Sequence, residues 1–281
     1  MSDLMQTAGT VDAQVNNLLN LAVAAGAEIL KVYAEDFSAS VKGDGSPVTV
    51  ADQAAEDVIL KDLANHFPDV PVVAEESVEA GQLPEGGARY FLVDPLDGTK
   101  EFVKRNGEFT VNIALIDQGK PVFGVVYAPA LKEIYWGGAL PGGEEQGAFQ
   151  GQVTDCEITD VKKISVRKPP EAGLSVLASR SHLSEETEAL IAKLNVAEKI
   201  CVGSSLKLCW VAAGRADLYP RMAPTMQWDI AAGDAIVRAA GGRVVFAKTG
   251  KNFVYKLGEG AIKDDLRNPH FIAVSDLALL P

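Results

Sequence analysis

The stretch 94-DPLDGT-99 places two carboxylates, a proline, a glycine and a hydroxyl directly after the apolar run 90-YFLV-93. Asp94 and Asp97 are hard oxygen donors, and the carbonyl of Leu96 between them can face the same point. Donors of this kind suit Mg²⁺ or Mn²⁺. Pro95 restricts one backbone dihedral, and Gly98 permits unusual dihedrals or close backbone approach. A helix starting at Gly98-Thr99 would turn its free N–H groups toward a phosphate. The same residues also suit an Asp-Pro turn in which Asp97 caps that helix. The hexapeptide alone does not separate these readings.

Other acids could converge on the same point. Glu75 and Glu76 end the segment 71-PVVAEE-76. If that strand lies beside 89-RYFLVD-94 with the same polarity, Glu75 and Asp94 emerge together at one sheet edge, where a shared cation would offset their repulsion. Solvated surface carboxylates are the plain alternative. Asp229 opens the helix expected at 228-WDIAAGDAIVRAA-240, where an acid is also a good cap. That helix is rich in Ala and Gly, so it can pack closely on a sheet and bring Asp229 near the core. Asp52 follows Thr49 at the spacing of a capping box; a catalytic role requires more of it, such as orienting Thr99 or ligating a further metal.

The elements that must position these residues alternate. Helical spacing of apolar residues predicts a helix from about Val11 to Tyr33, after a loose tail over 1–10, with Gly26 on the packed face. A second helix is expected over 50–67, its inner face carrying Ala51, Ala55, Val58, Ile59 and Leu63. Strands are expected at 71–76, 89–94, 109–117, 121–129 and 131–137, followed by a turn-rich stretch, 138–152, as the domain boundary. Beyond it come strand 174–179, helix 184–194, a helix around 203–216, strand 217–222, the Asp229 helix and strand 243–247. Hairpins mixed with helices argue for layered α/β or α+β sheets rather than a simple parallel sheet. The expected organisation is a tail over 1–10, an N-terminal α+β domain over 11–155 and a C-terminal α/β domain over 156–281.

Composition narrows the function. With 281 residues, 47% of them apolar, and a net charge of −12, the chain can build a large core but not a nucleic-acid-coating surface. Its three cysteines lack metal-site spacing, so reduced thiols of a cytoplasmic protein are expected. No stretch reads as a secretory leader or a membrane span.

Four segments, 49-TVAD-52, 74-AEES-77, 94-DPLDGT-99 and 228-WDIAAG-233, together resemble the magnesium-dependent, lithium-sensitive phosphatase family that contains inositol monophosphatases and fructose-1,6-bisphosphatases. The resemblance runs over nearly the whole chain. Thr99-Lys100-Glu101-Phe102, with 180-RSH-182, 203-GSSLK-207 and 219-YPRMAPTMQWD-229, is similar to the family's 3'(2'),5'-bisphosphate nucleotidase branch. Ala74 departs mildly from relatives that carry Gly or Ser there.

The resemblance implies a layered αβαβα sandwich of the sugar-phosphatase type. It implies that Glu75, Asp94, the Leu96 carbonyl, Asp97 and Asp229 hold roughly two or three Mg²⁺ ions, with Mn²⁺ as a substitute and Li⁺ and Ca²⁺ as inhibitors. Thr99, with Asp52 and Glu75, would orient the attacking water. Amides around Gly98 and Thr99, with Asp97 and Asp229, would meet the scissile phosphate. His182, Ser204, Lys207 and Arg221 would hold the nucleotide's other phosphate. The implied reaction is hydrolysis of 3'-phosphoadenosine 5'-phosphate to AMP and phosphate, with the phosphosulfate as a further substrate, in support of sulfate assimilation. The expected partner is this small nucleotide, for a monomer or homodimer. An inositol or fructose phosphatase, and a non-catalytic metal- or nucleotide-binding regulator, are the alternatives.

Overall fold

The computed structural model describes residues 2–34, 40–41, 47–48, 50–144, 147–180 and 184–280. Helix α1 (Ser2–Ala34) begins earlier than the expected start near Val11, because Ser2–Thr10 contains no breaker stronger than Gly9. A short antiparallel pair, β1 (Ser40–Val41) and β2 (Pro47–Val48), leads to α2 (Val50–His66). The next elements are β3 (Val72–Ala74), α3 (Glu75–Glu79), β4 (Arg89–Asp97), α4 (Thr99–Val103), β5 (Thr110–Asp117), β6 (Lys120–Ala128), β7 (Glu133–Gly138), β8 (Ala148–Thr154) and β9 (Glu157–Ile164). These strands form a seven-stranded sheet in sequence order, antiparallel throughout except for the parallel pair β3–β4.

The remaining chain supplies β10 (Leu174–Ser179), α5 (Glu185–Ile191), β11 (Val196–Val202), α6 (Leu206–Ala212), β12 (Leu218–Arg221), α7 (Gln227–Ala239), β13 (Arg243–Phe246) and β14 (Phe271–Val274). Its five strands lie in the order β11-β10-β12-β14-β13. Ser184 caps α5 by accepting from the Thr187 N–H at 3.2 Å, as its Ser-x-x-Thr start suggests. The segment 138–152 is less turn-like than expected, since β8 occupies its end and β9 follows. Glycine and glutamine interrupt the apolar pattern of β8, and β9 is an edge strand buried only at Ile164. Strands β11 and β14 also carry too short or too polar a pattern to stand out in sequence.

The layers follow from which faces are apolar. Along β4, Phe91 and Val93 join the core beneath α1 and α2, whereas Tyr90 and Leu92 join the core that includes α6 and α7. A strand covered on both faces reads as a continuous apolar run rather than as an alternation. Helices α1 and α2 therefore cover one face of the large sheet, α6 and α7 lie between the two sheets, and α5 covers the outer face of the small one. This is the αβαβα arrangement. Gly26 of α1 sits where a Cβ would fall 2.4 Å from the Tyr127 ring, so the close packing expected there is present.

Helix α7 is held most tightly. A Cβ on Gly124 of β6 would lie 2.3 Å from the Ala232 carbonyl oxygen, and one on Gly233 would lie 2.5 Å from Leu208 of α6. The Gly124 contact is with backbone, which cannot rotate away. Gly124→Ala should therefore lower stability by about 1–3 kcal/mol, the usual cost of overpacking, measured as a reduced urea midpoint with an unchanged slope.

Candidate active site

Two backbone features bring the acids together. The parallel register pairs Ala74 of β3 with Val93 of β4, so the next residues, Glu75 and Asp94, lie side by side where β3 ends. Glu75 is not a strand residue as expected: it begins α3, with Ala74 as the unassisted cap. Strand β4 does not stop at Asp94 either. It continues to Asp97 through an irregularity in which Asp94 faces Asn112 and Asp97 faces Thr110, so β4 carries an extra residue. Bulges of this kind re-aim side chains. The Leu96 N–H donates to Asp94 Oδ1 at 3.1 Å and fastens the bulge.

Gly98 then takes φ +94° and starts α4. A side chain there would be strained by the backbone and would crowd Glu108 O and the Ser204 Cβ at 3.2 Å. Asp97 is free of the capping duty that the hexapeptide allowed: its Oδ2 lies 2.9 Å from Ser205 Oγ. Asp229 does cap α7, its Oδ2 accepting from the Met226 N–H at 2.8 Å, yet the same residue lines the cavity. Cap and site residue are one.

The cavity has a volume of about 380 Å³. Glu75, Asp94, Leu96, Asp97, Gly98 and Thr99 line it from the first half of the chain, and Ser204, Lys207, Arg221 and Asp229 from the second. Asp52 lies behind this lining, buried in the first turn of α2 and close enough to act electrostatically on Asp94. Of the residues singled out in the sequence, His182 and the Thr49 partner of Asp52 lie outside the described residues.

Charge density is the main property of the site. Burial pushes the Asp94 carboxyl well above its ordinary range, and repulsion from Glu75, Asp97, Asp229 and Asp52 adds to it. Burial raises Asp229 too, with Asp97 and Glu75 reinforcing the effect. Asp97 is raised by burial, opposed by the Lys207 ammonium and by Ser205. An all-oxygen set of mutually repelling carboxylates, Asp94 buried and Glu75, Asp97 and Asp229 half-buried, fits a hard divalent cation, which would offset both penalties. Among the described residues no three acidic, histidine or cysteine side chains already form a closed metal cage; the acids face one cavity from separate segments.

The basic residues of the lining are anchored. Burial lowers the Lys207 ammonium to about 8, against the pull of Asp97. Its Nζ donates to the carbonyls of Ser204 at 2.6 Å and Val202 at 3.2 Å. The Arg221 guanidinium donates to the Pro224 carbonyl at 3.1 Å. Ser204 holds φ +48°, an uncommon conformation for a non-glycine residue, while its hydroxyl meets Thr110 Oγ1 at 2.6 Å. Arg180 grips Glu108 with two bonds, and Glu108 accepts from the Gly203 N–H at 2.8 Å, so the loop before α6 is tied to β5's approach.

Sequence reasoning missed Glu56. Fully buried on α2, it accepts from the N–H groups of Glu76 and Ser77, each at 2.8 Å, and from Ser77 Oγ at 2.6 Å. It thereby holds the first turn of α3 and the Glu75 that opens it. The available signal was an acid four residues after Asp52, on the face that also carries Ala51, Ala55 and Ile59.

A family model for the inositol monophosphatase family matches residues 12–275. The chain belongs to that family. Within it, the chain is 48% identical over 234 residues to the 3'(2'),5'-bisphosphate nucleotidase CysQ of Salmonella typhimurium, covering 82% of this chain and 89% of that protein. It is 45% identical, at the same coverage, to CysQ of Escherichia coli K12. Among solved structures, CysQ from Bacteroides thetaiotaomicron superimposes with a TM-score of 0.74 at 41% identity, over 94% of this chain and 98% of that one. The Thermotoga maritima inositol monophosphatase superimposes with a TM-score of 0.72 at 26% identity, over 94% and 93% of the two chains.

Glu56→Ala would leave two α3 amides without their acceptor. The expected loss is about 2–3 kcal/mol, the range for a hydrogen bond to a charged group or an orphaned buried donor, read from equilibrium urea denaturation.

Proposed function

We propose that the chain is a 3'(2'),5'-bisphosphate nucleotidase that removes the 3'-phosphate of 3'-phosphoadenosine 5'-phosphate, yielding AMP and phosphate, and that also accepts the corresponding phosphosulfate. The observation that carries this reading is the juxtaposition, in one cavity, of Glu75, Asp94, Asp97 and Asp229 with the cationic wall of Lys207 and Arg221. One side suits a metal-held phosphate and the other a second anionic group. The identity to the CysQ nucleotidases supports the same substrate.

In this reading Glu75, Asp94, the Leu96 carbonyl, Asp97 and Asp229 hold Mg²⁺. When bound, the cations would supply a water of lowered pKa and would neutralise charge on the departing oxygen. Thr99, backed by Asp52 and Glu75, orients that water. The amides around Gly98 and Thr99 receive the phosphoryl oxygens, where charge builds during transfer and positioning matters most. Lys207 and Arg221, with Ser204 and His182, bind the 5'-phosphate. Lys207 acts from an anchored position in the cavity lining, its ammonium held by the Ser204 and Val202 carbonyls. No protein nucleophile is required. The substrate fits a role in clearing a by-product of sulfate assimilation. Among the described residues no helix is long and apolar enough to cross a membrane.

Phosphate release from 3'-phosphoadenosine 5'-phosphate, inositol 1-phosphate and fructose 1,6-bisphosphate, each with and without Mg²⁺ and Li⁺, tests the substrate directly. The nucleotide should be hydrolysed fastest, only with Mg²⁺, and Li⁺ should inhibit. Nucleotide binding without Mg²⁺-dependent turnover would instead identify a regulator. Asp94→Asn and Asp97→Asn should each reduce turnover by about a hundredfold or more, the scale of losing a key electrostatic group; near-native rates in both folded variants would refute the metal assignment. Lys207→Ala and Arg221→Ala should harm the bisphosphate more than inositol 1-phosphate, and equal losses on the two would remove them from the 5'-phosphate site.

A further inference from the structure

Strand β5 carries Thr110 and Asn112, two residues apart and so on one face. The segment before α6 carries the adjacent serines Ser204 and Ser205. The structure matches them in pairs: Thr110 Oγ1 with Ser204 Oγ at 2.6 Å, and Asn112 Nδ2 with Ser205 Oγ at 2.9 Å. Thr110 and Asn112 are also the residues that face Asp97 and Asp94 across the β4 bulge. The bulge, strand β5 and the serine pair therefore meet at one place, where Asn112 and Ser205 are 1% and 3% exposed.

Hydrogen-bond valence decides what Ser205 does there. Its Oγ lies 2.9 Å from Asp97 Oδ2 and 2.6 Å from the Asp229 main-chain carbonyl. An ionised carboxylate and a carbonyl can only accept, and a hydroxyl has one hydrogen. Asn112 must therefore turn its amide N–H toward Ser205. The opposite amide orientation would surround the hydroxyl with three acceptors for one hydrogen. With Asn112 donating, the Ser205 hydrogen is left to be shared between Asp97 of β4 and the first turn of α7. The Asn112 amide oxygen has no partner among the described residues, so this side chain's polar contact is concentrated on Ser205.

We propose that Ser205, oriented by Asn112, is a positioning residue for the metal site. It holds the Asp97 carboxylate and the backbone of Asp229 at a fixed separation, and so pre-sets two metal-holding residues that come from different elements, β4 and α7. Partners of ligating carboxylates orient them and typically change metal affinity by about 10–100-fold when removed. The proposal rests on the metal-binding part of the functional reading, not on the choice of nucleotide.

The test is Mg²⁺ and Mn²⁺ binding to the full chain by calorimetry, with the metal-free melting temperature measured in parallel. Ser205→Ala should weaken binding about tenfold to a hundredfold while the metal-free protein remains folded. Ser205→Thr, which keeps the hydroxyl, should restore most of the affinity. Asn112→Ala should weaken binding less than Ser205→Ala, and adding it to Ser205→Ala should produce no further loss. Should Ser205→Ala fail to fold, Asn112→Ala, which retains the serine, decides the question with the same readouts. Wild-type affinity in folded Ser205→Ala or, failing that, in Asn112→Ala, would overturn the proposal, as would fully additive losses in the double variant. Failure of the wild-type chain to hydrolyse the bisphosphate nucleotide, with these affinity differences intact, would overturn the substrate reading alone.

Discussion

Repulsion among crowded carboxylates is the constraint on which this molecule turns. Asp94 is almost wholly removed from water and feels Glu75, Asp97, Asp229 and Asp52 at once. Alone, such a group costs free energy, because burial and like charge both oppose ionisation. Much of the surrounding architecture serves to keep these acids in place nonetheless. The two sheets and the helices between them act as a frame, and the oxygen donors it gathers suit a hard cation that would offset their repulsion.

The frame works because each acid is fastened by something that cannot easily yield. The parallel β3–β4 pair places Glu75 beside Asp94, and Glu56 holds the turn that Glu75 begins. The β4 bulge separates Asp94 from Asp97 without ending the strand. Asp229 is delivered by α7, which approaches the large sheet closely enough that Gly124 has no room for a side chain. Helix-capping chemistry and cavity lining coincide at Asp229, so the choice between cap and site that its position raised was not a real alternative. At Asp97 they do not coincide, and the carboxylate is left to the cavity and to Ser205.

Much of the site was legible in the chain. DPLDGT, Glu75 and the WD of α7 announced hard oxygen donors at strand and helix ends, which the structure gathers in one cavity, and sequence pattern placed α2, β4, β5 and α7. The strands that escaped notice, β8, β9, β11 and β14, are short, glycine-rich, polar at an edge or joined only by distant partners, so their pattern carries little local signal. Glu56 escaped because an acid on a helix ordinarily reads as solvated; its burial arises only where α3 docks. Ser205 and Asn112 escaped because each is an unremarkable polar residue until the other is beside it.

What the sequence determined by itself was therefore chemical: which oxygen donors exist, that they sit at element ends, and that a layered α/β core is available to carry them. Those properties reside in residue type and short-range spacing. The tertiary structure decided which donors share a cavity, which acid caps a helix while lining the site, and which neutral side chains hold the charged ones apart. Those depend on sheet order and register between residues about a hundred positions apart, such as Asn112 with Ser205 and Ser205 with Asp97, and no local pattern encodes a distance of that kind.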